Sequence, residues 1–206
     1  MEEGFIDAIR GLHLLFLALG LGSAFYLDFR TVSSLDRILE AEDVIEMKRI
    51  HDFVTGAFIG LWITGLFLVW IRTSFDISQF SPKLWCKLGV VTFMTCVAAA
   101  MGTIVLPAMK AQIGKRIFDL DIQALVPLSA IISFSAFCWI TALALGSSKV
   151  LKNAPWETLS MLLLAGGAFA IIAGVGFMLT LRTILRGSQQ LRRDPFDRLL
   201  ELSRHR

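Results

Sequence analysis

Five long, almost unbroken apolar stretches, separated by short polar segments, dominate the pattern of this chain. They fall at about 5–29, 52–72, 84–107, 122–146 and 158–185. At 1.5 Å rise per residue, some 20 apolar residues in a helix cross roughly 30 Å of hydrocarbon. A helix also satisfies its own backbone polar groups, which lipid cannot do. The runs are too continuous for the alternating strands of a membrane barrel. The pattern therefore predicts an all-α integral membrane protein. Residues 1–185 should form a five-helix transmembrane bundle and residues 186–206 a basic tail. Residues 28–52, DFRTVSSLDRILEAEDVIEMKRIHD, carry Leu35, Ile38, Leu39 and Ile45 at helical spacing. That spacing predicts either an extension of the first helix or a helix lying along the interface.

Composition points the same way. Apolar residues make up 55% and charged residues 18% of the 206, against about 45–50% and about 25% in soluble domains. The chain begins MEEGFIDAIRG, acidic where a secretory signal needs a basic region, so the first run reads as a retained helix. The net charge of +3 matters through its placement. Fourteen of the 20 Lys and Arg residues fall on one side of the predicted spans, among them Arg30, Lys48, Lys110, Arg116 and the arginines from Arg182 onward. The positive-inside rule then puts the N-terminus outside and the C-terminus in the cytoplasm. No nucleic-acid footprint is present. Cys86, Cys96 and Cys138 have no metal or CxxC spacing and read as small hydrophobes. No GxSxG, HExxH, P-loop or dinucleotide fingerprint occurs.

Ionisable groups inside a span are costly and are candidates for function. His13 lies within the first run and shares a helical face with Arg10, Leu17, Gly20 and Ala24, so it should look into the bundle. Its ring could bond a backbone carbonyl or a Ser or Thr hydroxyl, or it could serve as a ligand or handle a proton. Lys87 opens the third helix at similar depth. Were they to turn inward, Arg10, His13 and Lys87 would form a cationic pocket for haem propionates, a carboxylate or a quinone oxygen. Otherwise Arg10 and Lys87 snorkel to the headgroups. His51 sits roughly 15–25 Å deeper along the helices, so the two histidines cannot ligate one iron; His51 and Asp52 read as an interfacial pair. Asp28 calls for a cation, for which Arg30, Lys48 or Arg49 could serve. Gly56, Gly60 and Gly65, and Gly166, Gly167, Gly174 and Gly176, read as packing stripes. Pro127 could kink the fourth helix, with Ser129, Ser133 and Ser135 satisfying freed carbonyls.

The segments LHLLFLALGLGSAFYLDFR, HDFVTGAFIGLWITGLFLVW and FSPKLWCKLGVV, within about residues 10–107, resemble the CopD/HemJ-like group of small bacterial membrane proteins. The shared features are a histidine and a glycine-rich face in the first helix, an arginine past its end, a TG step in the second and a Lys-Leu pair opening the third. The resemblance implies a helical bundle in the bacterial inner membrane. It implies histidine-bound haem b and protoporphyrinogen oxidation in HemJ-like members, and copper handling in CopD-like ones. His13, Arg30 and Lys87 are the matching positions, and the fifth span is an addition to the four of HemJ-like proteins. Three functions follow as expectations. One is a haem protein with His13 on the iron and Arg10 and Lys87 on anionic groups. Another is a small transporter of copper or an organic anion. The last is an accessory subunit of a larger membrane complex, or a homo-oligomer, set in the lipid bilayer.

Overall fold

The computed structural model describes residues 2–148, 150–152 and 154–204. Among them, five helices are long and apolar enough to cross a membrane. These are α1 (Glu2–Ser33), α2 (Ala41–Thr73), α3 (Pro82–Ala111), α4 (Ile122–Ser147) and α5 (Trp156–Arg204). Short 3₁₀ turns lie in the connections, at Ile77–Gln79, Ile117–Asp119 and Val150–Lys152. The helices reach beyond the apolar runs. The polar stretch after Asp28 lengthens α1 only to Ser33 and then starts α2 at Ala41; Leu35, Ile38 and Leu39 lie in the turn between, so their spacing marks neither a long extension of the first helix nor a separate surface helix. α5 continues as helix through the basic tail to Arg204.

α1 packs mainly on α2, and α4 on α5. α4 also touches α1 and α3, which places it at the centre. Lipid is as apolar as leucine, so burial alone gives such helices little reason to associate; close packing and hydrogen bonds do the work. Glycines supply the close approaches. A Cβ on Gly60 would stand 2.6 Å from the Phe16 ring, and one on Gly166 would stand 2.8 Å from Phe137. Gly20 lies under Trp139 and Gly174 under Ser133. Gly56 and Gly176 face open space, so each predicted stripe is used only in part.

Two apolar cores form, one toward each end. The near end carries the start of α1 and the α2–α3 and α4–α5 connections. Its core gathers Leu17, Phe58, Leu61, Cys86, Val90, Met94, Cys138 and Trp139, with Phe58 and Trp139 edge-on at 6.5 Å. The far-end core gathers Leu35, Leu39, Met47, Val105, Met109, Ile117, Leu125 and Leu128. Backbone bonds close this end: Leu39 N–H donates to Lys115 O and Gly114 N–H to Leu39 O, both at 2.9 Å. Arg182, 7% exposed, donates from Nη2 to Leu120 O at 2.6 Å and so ties α5 to the same loop.

α3 is irregular. Through Met101–Val105 it widens into a π turn, in which Leu106 N–H bonds Met101 O five residues back. Pro107 follows directly. A proline has no N–H, and its ring collides with the carbonyl four residues earlier; widening the turn relieves both problems, and the helix then continues to Ala111. In α4, by contrast, Pro127 is absorbed without interrupting the helix. Ser129 Oγ donates to Leu125 O, not to the Gln123 carbonyl that the proline ring leaves without its usual N–H.

Candidate functional site

The near-end residues are brought together only in part. His13 faces α2, where its Nδ1 lies 2.9 Å from Thr64 Oγ1. The Thr64 hydroxyl has one proton and gives it to Gly60 O at 2.7 Å. In the tautomer with its proton on Nδ1, His13 donates to this hydroxyl and Nε2 keeps a lone pair. The ring packs against Gly65, whose added Cβ would meet Cε1 at 3.2 Å. Lys87 is half-buried and close enough for its charge to act on His13, with Lys83 and Arg72 around it. Lys83 is occupied by Ser148 O at 2.8 Å. Arg10 does not join them: its side chain is 64% exposed and paired with Asp7 at 3.0 Å.

At the far end, Asp43 is a hub. Its buried carboxylate accepts from Arg37 at 2.5 Å, Arg30 at 3.3 Å and the Glu40 N–H at 2.9 Å. Arg30 also binds Glu46 and reaches the Tyr26 hydroxyl. These bonds join the end of α1 to the start of α2.

Two expected pairings are overturned. Arg30 serves Asp43 and Glu46, not Asp28, and Lys48 is held by Asp52 at 2.5 Å. That leaves Asp28 without an ion pair or hydrogen bond among the described residues. His51 makes no hydrogen bond or close ion pair with Asp52, whose carboxylate acts on it only through space; its ring turns inward, and its Nε2 lies against Gly102 in the π turn, 3.3 Å from an added Cβ. The physical reason is helical phase. Asp52, one residue on, points outward to Lys48 a turn away, whereas His51 lies on the stripe that carries Met47 and Phe58 into the bundle.

Asp28 and His51 thereby meet at the same place. Two adjoining cavities lie between the cores, and both are lined by Leu27, Asp28, His51 and Met101. The one toward the near core also touches Ser135 and Thr55; the one toward the far core touches Thr31 and Ser129. They offer ≈ 40 and ≈ 50 Å³ to the centres of water molecules. One water needs about 10–15 Å³ measured this way, so each is large enough for a few waters and neither admits a porphyrin as it stands. This arrangement can hold and pass a proton or a small cation: a carboxyl and an imidazole on neighbouring helices, hydroxyls above and below, and room for water.

His13 and His51 stay far apart. His13 bonds Thr64, and Thr64 lies about 20 Å along α2 from His51 at helical rise. Among the described residues no group of three or more His, Cys, Asp or Glu is placed to hold a metal ion, and the three cysteines are free, with Cys86 and Cys138 buried and Cys96 exposed. The chain matches no family model, no curated protein and no solved structure.

Proposed function

We propose that this chain is a small multi-pass transporter or permeation protein that moves protons, alone or coupled to a small solute, through the Asp28–His51 cavity. One observation carries the reading: the side chains of Asp28 and His51, in no hydrogen bond or ion pair among the described residues, line the same two water-sized cavities between two apolar cores. Burying such groups costs several kcal/mol unless they are hydrogen-bonded or paired, and intramembrane Asp and His typically mark ion or proton routes. The π turn beside His51 fits the same reading, since π turns concentrate at working sites. Each core closes the route toward one end, so passage requires the cores to open in turn. The basic bias of the far end orients the chain with its N-terminus outside and its C-terminus in the cytoplasm. A bacterial inner membrane is the setting that the CopD/HemJ-like resemblance suggests.

The test is proton flux into proteoliposomes carrying a trapped pH dye. Asp28→Asn and His51→Gln should each lower flux about tenfold or more, a barrier increase of about 1.4 kcal/mol. Flux that is unchanged in both variants, or absent from the parent protein under every imposed gradient, ends this reading.

A second reading keeps His13 as the ligand of haem b near the outer face. It is supported by the neighbouring Lys87 and by the Nε2 lone pair that the Nδ1–H tautomer would offer. Arg10 would have to leave Asp7 to take part. An absorption spectrum decides this one. A Soret band that disappears in His13→Ala favours it, and no band in protein grown with haem supply removes it.

A further inference from the structure

A groove on the outer side of the α1–α2 pair has the chemistry of a lipid site. It is a hollow of ≈ 290 Å³ walled by Gly22, Ser23 and Tyr26 from α1 and by Arg49, Ile50 and Phe53 from α2. Gly22 makes it: no atom lies within 4 Å of where its Cβ would be, so the helix surface is low there. Tyr26 and Phe53, both about half exposed, stand up on either side. Each is four residues from another wall residue, Tyr26 from Gly22 and Phe53 from Arg49, so all share the outward face.

Arg49 is an exposed part of the wall. Its neighbours Arg30, Arg37 and Lys48 are all paired with carboxylates. Arg49 has no ion pair or hydrogen bond among the described residues. The nearby Glu46 is taken by Arg30 and the Tyr26 hydroxyl. The guanidinium lies where charged residues give way to the apolar run of α2, and the groove extends roughly 6 Å from it toward Phe53.

We infer that this groove binds one anionic phospholipid of the far-end leaflet, its phosphate on Arg49 and an acyl chain between Tyr26 and Phe53. A guanidinium fork matches phosphate oxygens in two parallel bonds, and basic pockets beside membrane helices select anionic headgroups. The walls beyond Arg49 are apolar or small, which suits a hydrocarbon tail and not free phosphate. Lipid binding here depends on the helices spanning a bilayer and is independent of the Asp28–His51 route.

Native mass spectrometry of the detergent-purified full chain tests it, titrating phosphatidylglycerol against phosphatidylcholine. Both lipids carry the phosphate, but the choline cation of phosphatidylcholine opposes Arg49, so the parent should retain one phosphatidylglycerol with at least about tenfold preference, about 1.4 kcal/mol. Arg49→Gln should abolish the preference and Arg49→Lys should keep part of it. Gly22→Leu, which fills the hollow, should weaken both lipids, while Lys110→Gln at the same end should change nothing. Circular dichroism checks that each variant keeps its helix content. Equal binding of the two lipids, an Arg49→Gln protein within twofold of the parent, or full displacement by millimolar inorganic phosphate would each overturn the proposal. A chain that stays monodisperse without detergent would instead refute the bilayer reading beneath it.

Discussion

The two interior histidines make an instructive pair. His13 sits between α1 and α2, hydrogen-bonded to a threonine whose hydroxyl also reaches a backbone carbonyl. His51 stands one core away, with no side-chain hydrogen bond, beside a cavity that it shares with an aspartate lacking any hydrogen bond or ion pair among the described residues. The sequence pattern ranks them the other way round. His13 stands alone in its apolar run, whereas His51 has Asp52 for a neighbour. What separates them is partner supply. Thr64 happens to face His13 from the neighbouring helix, whereas Arg30 and Lys48, two of the cations expected to serve Asp28, are already held by other acids. A polar group that is satisfied belongs to the architecture; one that is left open is available for work.

That comparison can be broken or sharpened by thermal unfolding in detergent. The largest effect should come from the satisfied charges. Asp43→Asn leaves Arg30 and Arg37 without their shared carboxylate and should cost roughly 3 kcal/mol, somewhat less than a fully buried pair because both arginines are partly exposed. The opposite sign is expected at the cavity. Asp28→Leu removes an unpaired buried carboxyl and should raise stability by about 2 kcal/mol while stopping flux; a loss of stability there would contradict the open-partner argument. His13→Leu gives up the Thr64 bond and should cost about 1 kcal/mol, with flux left near the parent value. The smallest effect lies in the α2–α3 loop. The Ser78 hydroxyl and N–H hold the Asp76 carboxyl below its ordinary range. A lowered folded value means that its contribution is present above the ordinary carboxylate range and fades as pH falls through the lowered midpoint. An NMR titration should find Asp76 titrating low and Ser78→Ala shifting it up toward the ordinary value.

Much of the fold was legible because hydropathy over 20 residues is a strong signal, and the five helices follow from it. Their ends were not, since polar residues extend helices beyond the apolar limit: α2 begins eleven residues before the run that announces it. The site was half legible. Asp28, Arg30 and His51 stand out as ionisable groups, but the direction each faces depends on neighbouring helices. A finer signal was nevertheless present. Leu17, Leu21, Ala24, Asp28, Thr31 and Leu35 alternate at four- and three-residue steps, as do Met47, His51, Val54, Phe58 and Leu61. Each polar residue sits on its helix's inward stripe. The arginine hub on Asp43 could not be read at all, because it needs two helices and a turn to assemble.

The irregularity in α3 has a consequence for alignment. Cys86, Val90 and Met94 reach the near core by steps of four, and Val105 and Met109 reach the far core by another such step. At 3.6 residues per turn every step of four overshoots by about 40°, so a uniform helix would swing its inward face steadily round the bundle. The extra residue between Met101 and Val105 takes up that overshoot, and the second pair resumes near the bearing of the first. One helix thus serves both compartments from a single side, and the place where its phase is reset is where His51 rests.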